Sequence, residues 1–550
     1  MAGQVGWHKK YTKVLDDSDP YLHRWFPDGE INIAWNCLDR HVKEGLGGLI
    51  AFFEESAYTG HKRAWNYQEV LDHSGRLASV FRKKFGVEKG DRVVIYMPMV
   101  IEAAFAMLAC ARLGAIHSVV FGGFAPKELA SRIDDCRPKL IVTASYGIEP
   151  GKQIPYVPIV EEAIGHCKID CAKSIPRLIK QRTELDGKLL AKDLNEFYHD
   201  YSALMAEEHE VQEAVPVPSN HRLYILYTSG TTGAPKGIVR DQGGCTVMLN
   251  WSMSSVFNLH RHDRFFATSD IGWVVGHSFI VYGPLLRGAT SVFFEGKPIT
   301  PNPGKVWEMC QNYRAKVLYI APTGLRIVKK LDYDGEWPKK YDLSSIESIG
   351  VVGERCDPDT IKWVHRIVPH ALINDTWWQT ESGVPMCCNL LNIKEFGPMY
   401  PTLPGSVTRP VPGYDIRIFD EANEEVKNGV LGKVVIKMPM PPTFMLTLWG
   451  NDAAFIAKYL EETPGYYTTG DAGWKDEHGY VHIMTRVDDV INTSGHRLST
   501  GRLEEAVNET PGVVESAVVG YNDPLRGECP LAFVVLKGAN WMDRPEKELN

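Results

Sequence analysis

The chain has 550 residues, 44% of them hydrophobic and 23% charged, enough to bury a large core and to divide it into more than one domain. Its formal charge of −8 is spread along the sequence, which leaves no basic footprint for nucleic acid; any anionic ligand must be met by local groups. The longest apolar stretch, residues 103–111, is flanked by Glu102 and Arg112 and is too short to span a bilayer, so it reads as a buried helix rather than a membrane anchor.

The N-terminus is polar, with Asp16, Asp17 and Asp19, and shows neither an apolar signal core nor an acid-poor transit pattern. Eleven cysteines are scattered without paired CxxC ligand spacing, and Cys387 and Cys388 are neighbours. Reduced thiols in a cytoplasmic compartment are the simplest expectation, with the mitochondrial matrix as the alternative.

From residue 92 the pattern predicts a strand (92–96), a helix (101–113), a second strand (115–121), a helix (126–136) and a third strand (140–143). This βαβαβ alternation calls for a parallel sheet with right-handed crossovers. Residues 145–220 are more polar and irregular and receive no assignment. Alternation resumes between about 222 and 380, with apolar strands at 264–268, 291–294, 317–320 and 349–352.

After Pro398, Pro- and Gly-rich turns separate short β-like runs such as 415–419 and 433–437, which predicts a smaller β subdomain over about 399–487. A charged joint at 486–489 precedes a helix (500–508) and two strands (515–520 and 532–536), and a domain boundary is expected at Asp488. The fold class is therefore α/β. A large domain, 1–487, carries two doubly wound mixed or parallel sheets plus the β subdomain; residues 488–550 form part of a small α+β domain.

The segment with the clearest chemistry is 227–237, Tyr-Thr-Ser-Gly-Thr-Thr-Gly-Ala-Pro-Lys-Gly. Closely spaced glycines let backbone N–H groups turn toward an anion, Thr and Ser hydroxyls add donors, and Lys236 brings a point charge. The strand-like run 223–227 aims this loop from a rigid base. It is not a Walker A loop, because the lysine is followed by glycine where that motif needs a metal-binding Ser or Thr.

Four further segments are placed after strands, where open α/β sheets gather ligands. They are 353–355 (Gly-Glu-Arg), 375–381 (Asp-Thr-Trp-Trp-Gln-Thr-Glu), 467–471 (Tyr-Thr-Thr-Gly-Asp) and 486–497 (Arg-Val-Asp-Asp-Val-Ile-Asn-Thr-Ser-Gly-His-Arg). With these five motifs in this order, the chain resembles the acyl-CoA synthetases of the adenylate-forming superfamily, and within them the short-chain acetyl/propionyl branch. The resemblance covers essentially the whole chain, including the entry segment 25–41. Residues 146–151, 353–357 and the Thr485-Arg486 pair are similar to propionyl-type members; Val352 is not, since some of those carry a smaller residue there.

The resemblance implies a carboxylate joined to ATP as an acyl-adenylate, with pyrophosphate released, followed by attack of the coenzyme A thiol and release of AMP. ATP, Mg2+ and coenzyme A would be the small-molecule partners, beside a short-chain carboxylate; nucleic acid and membrane are not expected, and oligomeric state is open. Thr228, Ser229, Gly230, Thr231, Thr232, Gly233 and Lys236 would cradle the β- and γ-phosphates. Gly353, Glu354 and Arg355 would line the adenine, with Asp375, Thr376, Trp377, Trp378, Gln379 and Thr380 closing the other side. Asp471 would accept from the ribose hydroxyls, and Arg486 and Arg497 would meet ribose or phosphate oxygens. Glu381 is the implied magnesium ligand. Lys236, Glu381 and Asp488, the last a hinge between two poses, carry the catalytic roles.

Trp378, Val274, Val275 and Val352 match the acyl pocket, where an indole fills the volume a longer chain would need. One methylene is worth only about 1–3 kcal/mol in such a pocket, so propionate ranks first with acetate close behind. Coenzyme A would enter past Phe121, Gly122, Gly123, Ser494 and Gly495, with Lys152 near its phosphates. Glu149 stands where acetyl-type enzymes have an arginine.

One family element has no counterpart in the 550 residues: the Pro-Lys-Thr-x-Ser-Gly-Lys type segment with the adenylation lysine. The sequence reading expects that segment downstream of Asn550, because strand 532–536 would otherwise be an exposed sheet edge. The alternative is a protein that binds nucleotide or acyl-adenylate without catalysing.

Overall fold

The computed structural model describes residues 1–183, 196–228, 235–493, 496–508, 510, 512–523 and 527–536. Two large sheets dominate it. The first has eight strands in the order Tyr198–Asp200, Arg177–Lys180, Leu140–Ala144, Arg92–Tyr96, Ile116–Val119, Arg222–Thr228, Lys236–Asp241 and Thr447–Leu448. Its first six strands are mutually parallel, and the last two join antiparallel. The second has seven, Leu372–Asp375, Ser348–Val351, Val317–Ile320, Arg264–Ala267, Thr290–Glu295, Ile50–Ser56 and Lys62–Asn66, all parallel but the final pair.

Strand periodicity of two decides which layer each side chain enters. Val93 and Ile95 face a central core shared with Phe265, Phe293 and Tyr319 of the second sheet, whereas Val94 and Tyr96 face an outer core under the helices Pro126–Cys136 and Tyr156–His166. Leu318 and Ile320 turn to a third core under the helices Lys305–Tyr313 and Pro358–Ile367. The central layer holds Ile101–Leu113 and Gln242–Ser255, both buried on nearly every face. Ile101–Leu113 is apolar on every side apart from its terminal Glu102 and Arg112, as suits a helix caught between two sheets, whereas Gln242–Ser255 buries Gln242, Thr246 and Asn250 along one side.

Beyond the large sheets lies an antiparallel four-stranded sheet, Ile416–Phe419, Gly432–Lys437, Tyr466–Lys475 and Val481–Arg486. A second antiparallel sheet follows in the order His496–Ser499, Val490–Thr493, Gly527–Leu536 and Val513–Asp523, beside the helix Thr500–Asn508. No helix among the described residues is long and apolar enough to cross a membrane.

Two sequence expectations change and a third stands. The motif 467–471 lies inside the strand Tyr466–Lys475 rather than after one; a register shift between Ala472 and Gly473 lets that strand carry a site residue without ending. Residues 532–536 are the C-terminal half of a longer strand, Gly527–Leu536, which meets Val490–Thr493 only where Gly527 pairs with Thr493; residues 532–536 pair with Val513–Asp523 alone, and Phe533, Val534 and Val535 are exposed, so among the described residues that half of the strand is an open edge as expected. The unassigned stretch 145–220 supplies an antiparallel pair, Tyr146–Glu149 with Lys152–Pro155, and two outer strands of the first sheet.

Candidate functional site

The strands flanking the expected phosphate loop pair antiparallel, Thr228 opposite Lys236. Ser229, Gly230, Thr231, Thr232 and Gly233 lie outside the described residues, but both ends of the loop are fixed. Lys236 is half-buried, and its ammonium is pushed down to about 8, first by desolvation and then by the neighbouring positive charge of Lys458; Glu381 opposes the shift. Lys458 sits on the helix Asp452–Tyr459, which follows the strand that pairs with Ile238 and Val239. Two ammonium groups meeting in this way form a site for an anion.

On the same hairpin strand, fully buried Arg240 anchors the neighbouring motif. Its guanidinium donates to the Glu381 carbonyl (2.9 Å), to the Tyr224 hydroxyl (3.0 Å) and to the carbonyls of Thr380 and Thr443. A planar donor fork can satisfy several carbonyls at once, which a lysine could not. Gly383 has φ +72° and comes so close that a Cβ there would sit 2.8 Å from Arg240 Cζ, so glycine is required both by backbone and by space. The segment 375–383 is thereby held against the phosphate hairpin.

Within that segment each side chain finds a separate task. Trp377 Nε1 and Gln379 Nε2 both donate to Asp471 Oδ2 (3.0 and 2.8 Å), and Arg486 Nη1 donates to Asp471 Oδ1 (3.0 Å). Strand register puts Asp471 directly opposite Arg486. Burial raises the Asp471 carboxyl, and Arg486 with the two amide and indole donors counters it. Asp375, at the end of its strand, is buried and pushed up to about 7, chiefly by desolvation, with Arg355 pulling the other way. Gly353 takes φ +98°; next to it the Glu354 carboxylate accepts from the Thr323 N–H (2.6 Å) and from Arg326 (3.0 Å), tying it to the start of the helix Pro322–Leu331.

The Glu381 carboxylate accepts from the Tyr459 hydroxyl at 3.1 Å, and Tyr459 stacks on Tyr467 with centroids 5.5 Å apart. Among the described residues no group of three or more His, Cys, Asp or Glu side chains is placed to hold a metal ion by itself. A lone carboxylate beside a phosphate cradle suits Mg2+, which takes one or two carboxylates and completes its octahedron with phosphate oxygens and water.

The four residues expected to form the acyl pocket belong to the central core, with Val275, Val352 and Trp378 buried and Val274 packed against it. Trp378 packs edge-on to Phe279 at 5.3 Å and donates Nε1–H to the Tyr319 hydroxyl at 3.0 Å. Tyr319 is 2.8 Å from the Thr376 hydroxyl, which donates to the Val351 carbonyl at 2.8 Å. The indole that would limit chain length is thus fixed from two sides.

At the expected thiol entrance, Phe121, Phe124 and half-exposed Trp273 form an aromatic cluster with centroids 5.2 to 6.0 Å apart. A Cβ at Gly122 would meet the Tyr156 hydroxyl at 2.0 Å and one at Gly123 would meet Phe121 at 2.4 Å. Lys152 is exposed on its short strand opposite Glu149, and Glu149 is engaged by Lys297 at 2.8 Å. Asp488 falls in the turn Val487–Asp489 between two strands of different sheets; the side chains of Asp488 and Arg497, and all of Ser494 and Gly495, lie outside the described part.

The structure therefore joins Thr228, Lys236, Trp377, Gln379, Glu381, Asp471 and Arg486 into one neighbourhood, with Trp378 reaching from it into the core. Sequence reasoning missed Arg240, Lys458, Tyr459 and Tyr319. A lone charge in the apolar run 237–240 was the available signal for Arg240; nothing local marked the others.

The sequence profile described as "AMP-binding enzyme" matches residues 48–446, "Acetyl-coenzyme A synthetase N-terminus" matches 1–37, and "AMP-binding enzyme C-terminal domain" matches 502–550. The chain belongs to the AMP-binding enzyme family. It is 46% identical over 539 residues to "Acyl-CoA synthetase short-chain family member 3, mitochondrial" of Homo sapiens, covering 98% of this chain and 76% of that protein. It is 41% identical to "Acetyl-coenzyme A synthetase" of Methylobacillus flagellatus, over 99% of this chain and 80% of the relative. The fold is shared with acetoacetyl-CoA synthetase from Streptomyces lividans at a TM-score of 0.84, 24% identity, and coverage of 98% of this chain and 79% of that one. Its place is among the short-chain acyl-CoA synthetases, AMP-forming ligases that work with ATP, Mg2+ and coenzyme A.

Proposed function

We propose that this family member activates a short-chain carboxylate, propionate ahead of acetate, and passes the acyl group to coenzyme A. The observation that carries the reading is Trp378, locked by Tyr319 beside Val352, Val275 and Val274, at the end of the same segment that presents Glu381. A carboxylate oxygen attacks the α-phosphorus, and pyrophosphate leaves with the bonding electron pair. The thiol then attacks the acyl carbonyl and loses its proton, and AMP departs.

In this reading Thr228 and the loop after it hold the β- and γ-phosphates with Lys236, whose charge the first step needs. Arg486 and Asp471, joined as a pair, orient the ribose, while the peptide run around Gly353 and Asp375 borders the base. Glu381 would hold the Mg2+, which neutralises phosphate charge when bound. Phe121, Gly122, Gly123, Ser494 and Gly495 frame the coenzyme A entrance, and Lys297 rather than an arginine at position 149 offers a cation beside Lys152. Residues 1–487 act as the large domain and 488–550 belong to the mobile one, with Asp488 as hinge and Arg497 carried on the moving side. All eleven cysteines are free, which supports a reducing compartment.

The test is ATP–pyrophosphate exchange with propionate, acetate and butyrate on a chain extended to its natural stop codon. Exchange that depends on propionate or acetate supports the reading. Absence of exchange with all three overturns it in favour of a binding protein.

A further inference from the structure

A second polar cleft, about 460 Å3 in volume, is lined by Arg40, His41, Glu44, Asn250, Arg261 and Arg287. It opens beside the C-terminal half of Gln242–Ser255 and the residues after it. The opposite end of that helix abuts Thr443, with Arg240 immediately before its N-cap Asp241. Asn250, the helix residue that lines the cleft, lies eight residues or about 12 Å along the helix from Gln242, and no residue lining the cleft belongs to the nucleotide-site motifs, so the cleft is a different place.

The charges in the cleft are out of balance. Three guanidiniums face one carboxylate: Glu44 pairs with Arg261, and among the described residues Arg40 and Arg287 have no carboxylate partner. Arg40 is held by neutral acceptors, the carbonyls of Gln4 (3.1 Å) and Leu286 (2.6 Å), while its Nε is buried without a hydrogen-bond partner. Arg287 donates at longer range to the Leu259 carbonyl (3.3 Å) and to Asn250 Oδ1 (3.4 Å). His41 is buried, bonded through Nε2 to the Leu285 carbonyl (2.8 Å), with Nδ1 also unpartnered. These contacts aim the guanidiniums without neutralising them.

We propose that this cleft binds a phosphorylated small molecule through Arg40, Arg261 and Arg287. Rigid donor forks match phosphate oxygens in pairs, a phosphate ester near neutrality carries close to two negative charges, and the volume is that of a small-ligand site. Burial together with mutual repulsion lowers the guanidinium basicity of Arg287, and burial lowers that of Arg40; both penalties are relieved by an anion between them. Burial and Arg40 push the His41 imidazole down to about 3, so it enters the site as a neutral ring; with Nε2–H donating to the Leu285 carbonyl, Nδ1 is left as an acceptor for a ligand hydroxyl.

The experiment is calorimetric titration of the full chain with inorganic phosphate at low ionic strength, in wild type, Lys236→Ala, Arg261→Gln and Arg40→Gln/Arg287→Gln. Lys236→Ala removes a contact of the nucleotide site, and the expected result is that one phosphate site survives it. Binding at that surviving site should weaken about tenfold in Arg261→Gln, whose side chain is exposed, and further in the double variant. Pyrophosphate exchange in both arginine variants should match wild type, which separates this proposal from the reading of the nucleotide site. Loss of all phosphate binding in Lys236→Ala overturns the proposal, as does a surviving site indifferent to the arginine variants.

Discussion

Trp378 donates its indole N–H to the hydroxyl of Tyr319 at 3.0 Å, so a residue on the strand Val317–Ile320 sets the position of the side chain proposed to close the acyl pocket. Replacing Trp378 with alanine should open room for about two more carbons and raise the preference for pentanoate over propionate by roughly 10²-fold. It should also cost about 3–5 kcal/mol of stability, as for other buried aromatic truncations. Exchange rates over a chain-length series, with urea unfolding alongside, check both; an unchanged chain-length profile would remove Trp378 from the pocket.

Arg240 should matter without touching substrate. Arg240→Met leaves the carbonyls of Thr380, Glu381 and Thr443 without their shared donor, at an expected cost of about 3–5 kcal/mol. Because the segment bearing Glu381 loosens, kcat for exchange should fall by roughly 10–100-fold and the Mg2+ concentration for half-activity should rise. Arg240→Lys is not expected to rescue, since a point charge cannot span the three acceptors.

Lys236 predicts a pH limb. Its folded value of about 8 lies below the ordinary 10.5, so the free enzyme loses the phosphate-binding charge above pH 8, and kcat/KM for ATP should decline there. Lys458→Met removes the neighbouring ammonium, and the limb should move to higher pH. The linkage sign follows: between about pH 8 and 10.5 the folded state holds fewer protons at this group than the unfolded chain, so its contribution to stability grows as pH rises through that window. A limb unmoved by Lys458→Met would separate the two lysines.

Glu381→Gln keeps the Tyr459 hydrogen bond, because an amide oxygen accepts as a carboxylate does. Stability should stay within about 0.5 kcal/mol of wild type. Adenylation should drop by roughly 10²-fold, with saturation by Mg2+ shifted to higher concentration. A Mg2+ titration of exchange activity distinguishes loss of a metal ligand from a purely structural effect, which would leave the metal dependence alone.

Much of this site could be read from the chain because its residues sit in compact motifs. Asp471 and Arg486 announce themselves in Thr-Thr-Gly-Asp and Arg-Val-Asp-Asp, and apolar alternation placed the strands Arg92–Tyr96 and Val317–Ile320 within a residue or so. What lay hidden depends on register and on long-range contact. That Asp471 faces Arg486 follows from strand pairing, not spacing. Tyr319 reads as one more apolar strand residue until Trp378 arrives beside it. Lys458 lies in a short helix with no motif and gains meaning only where Ile238 and Val239 pair with Thr447 and Leu448. Likewise, the strands Arg177–Lys180 and Tyr198–Asp200 are too short and polar to stand out; the sheet edge supplies what their own sequence does not.

The most direct test of the central claim is product analysis for the protein expressed from its complete reading frame, incubated with propionate, ATP, Mg2+ and coenzyme A. The account predicts propionyl-CoA and AMP in equal amounts, with pyrophosphate as the second product and little turnover of hexanoate. Formation of ADP in place of AMP, or no thioester from either propionate or acetate, would contradict it.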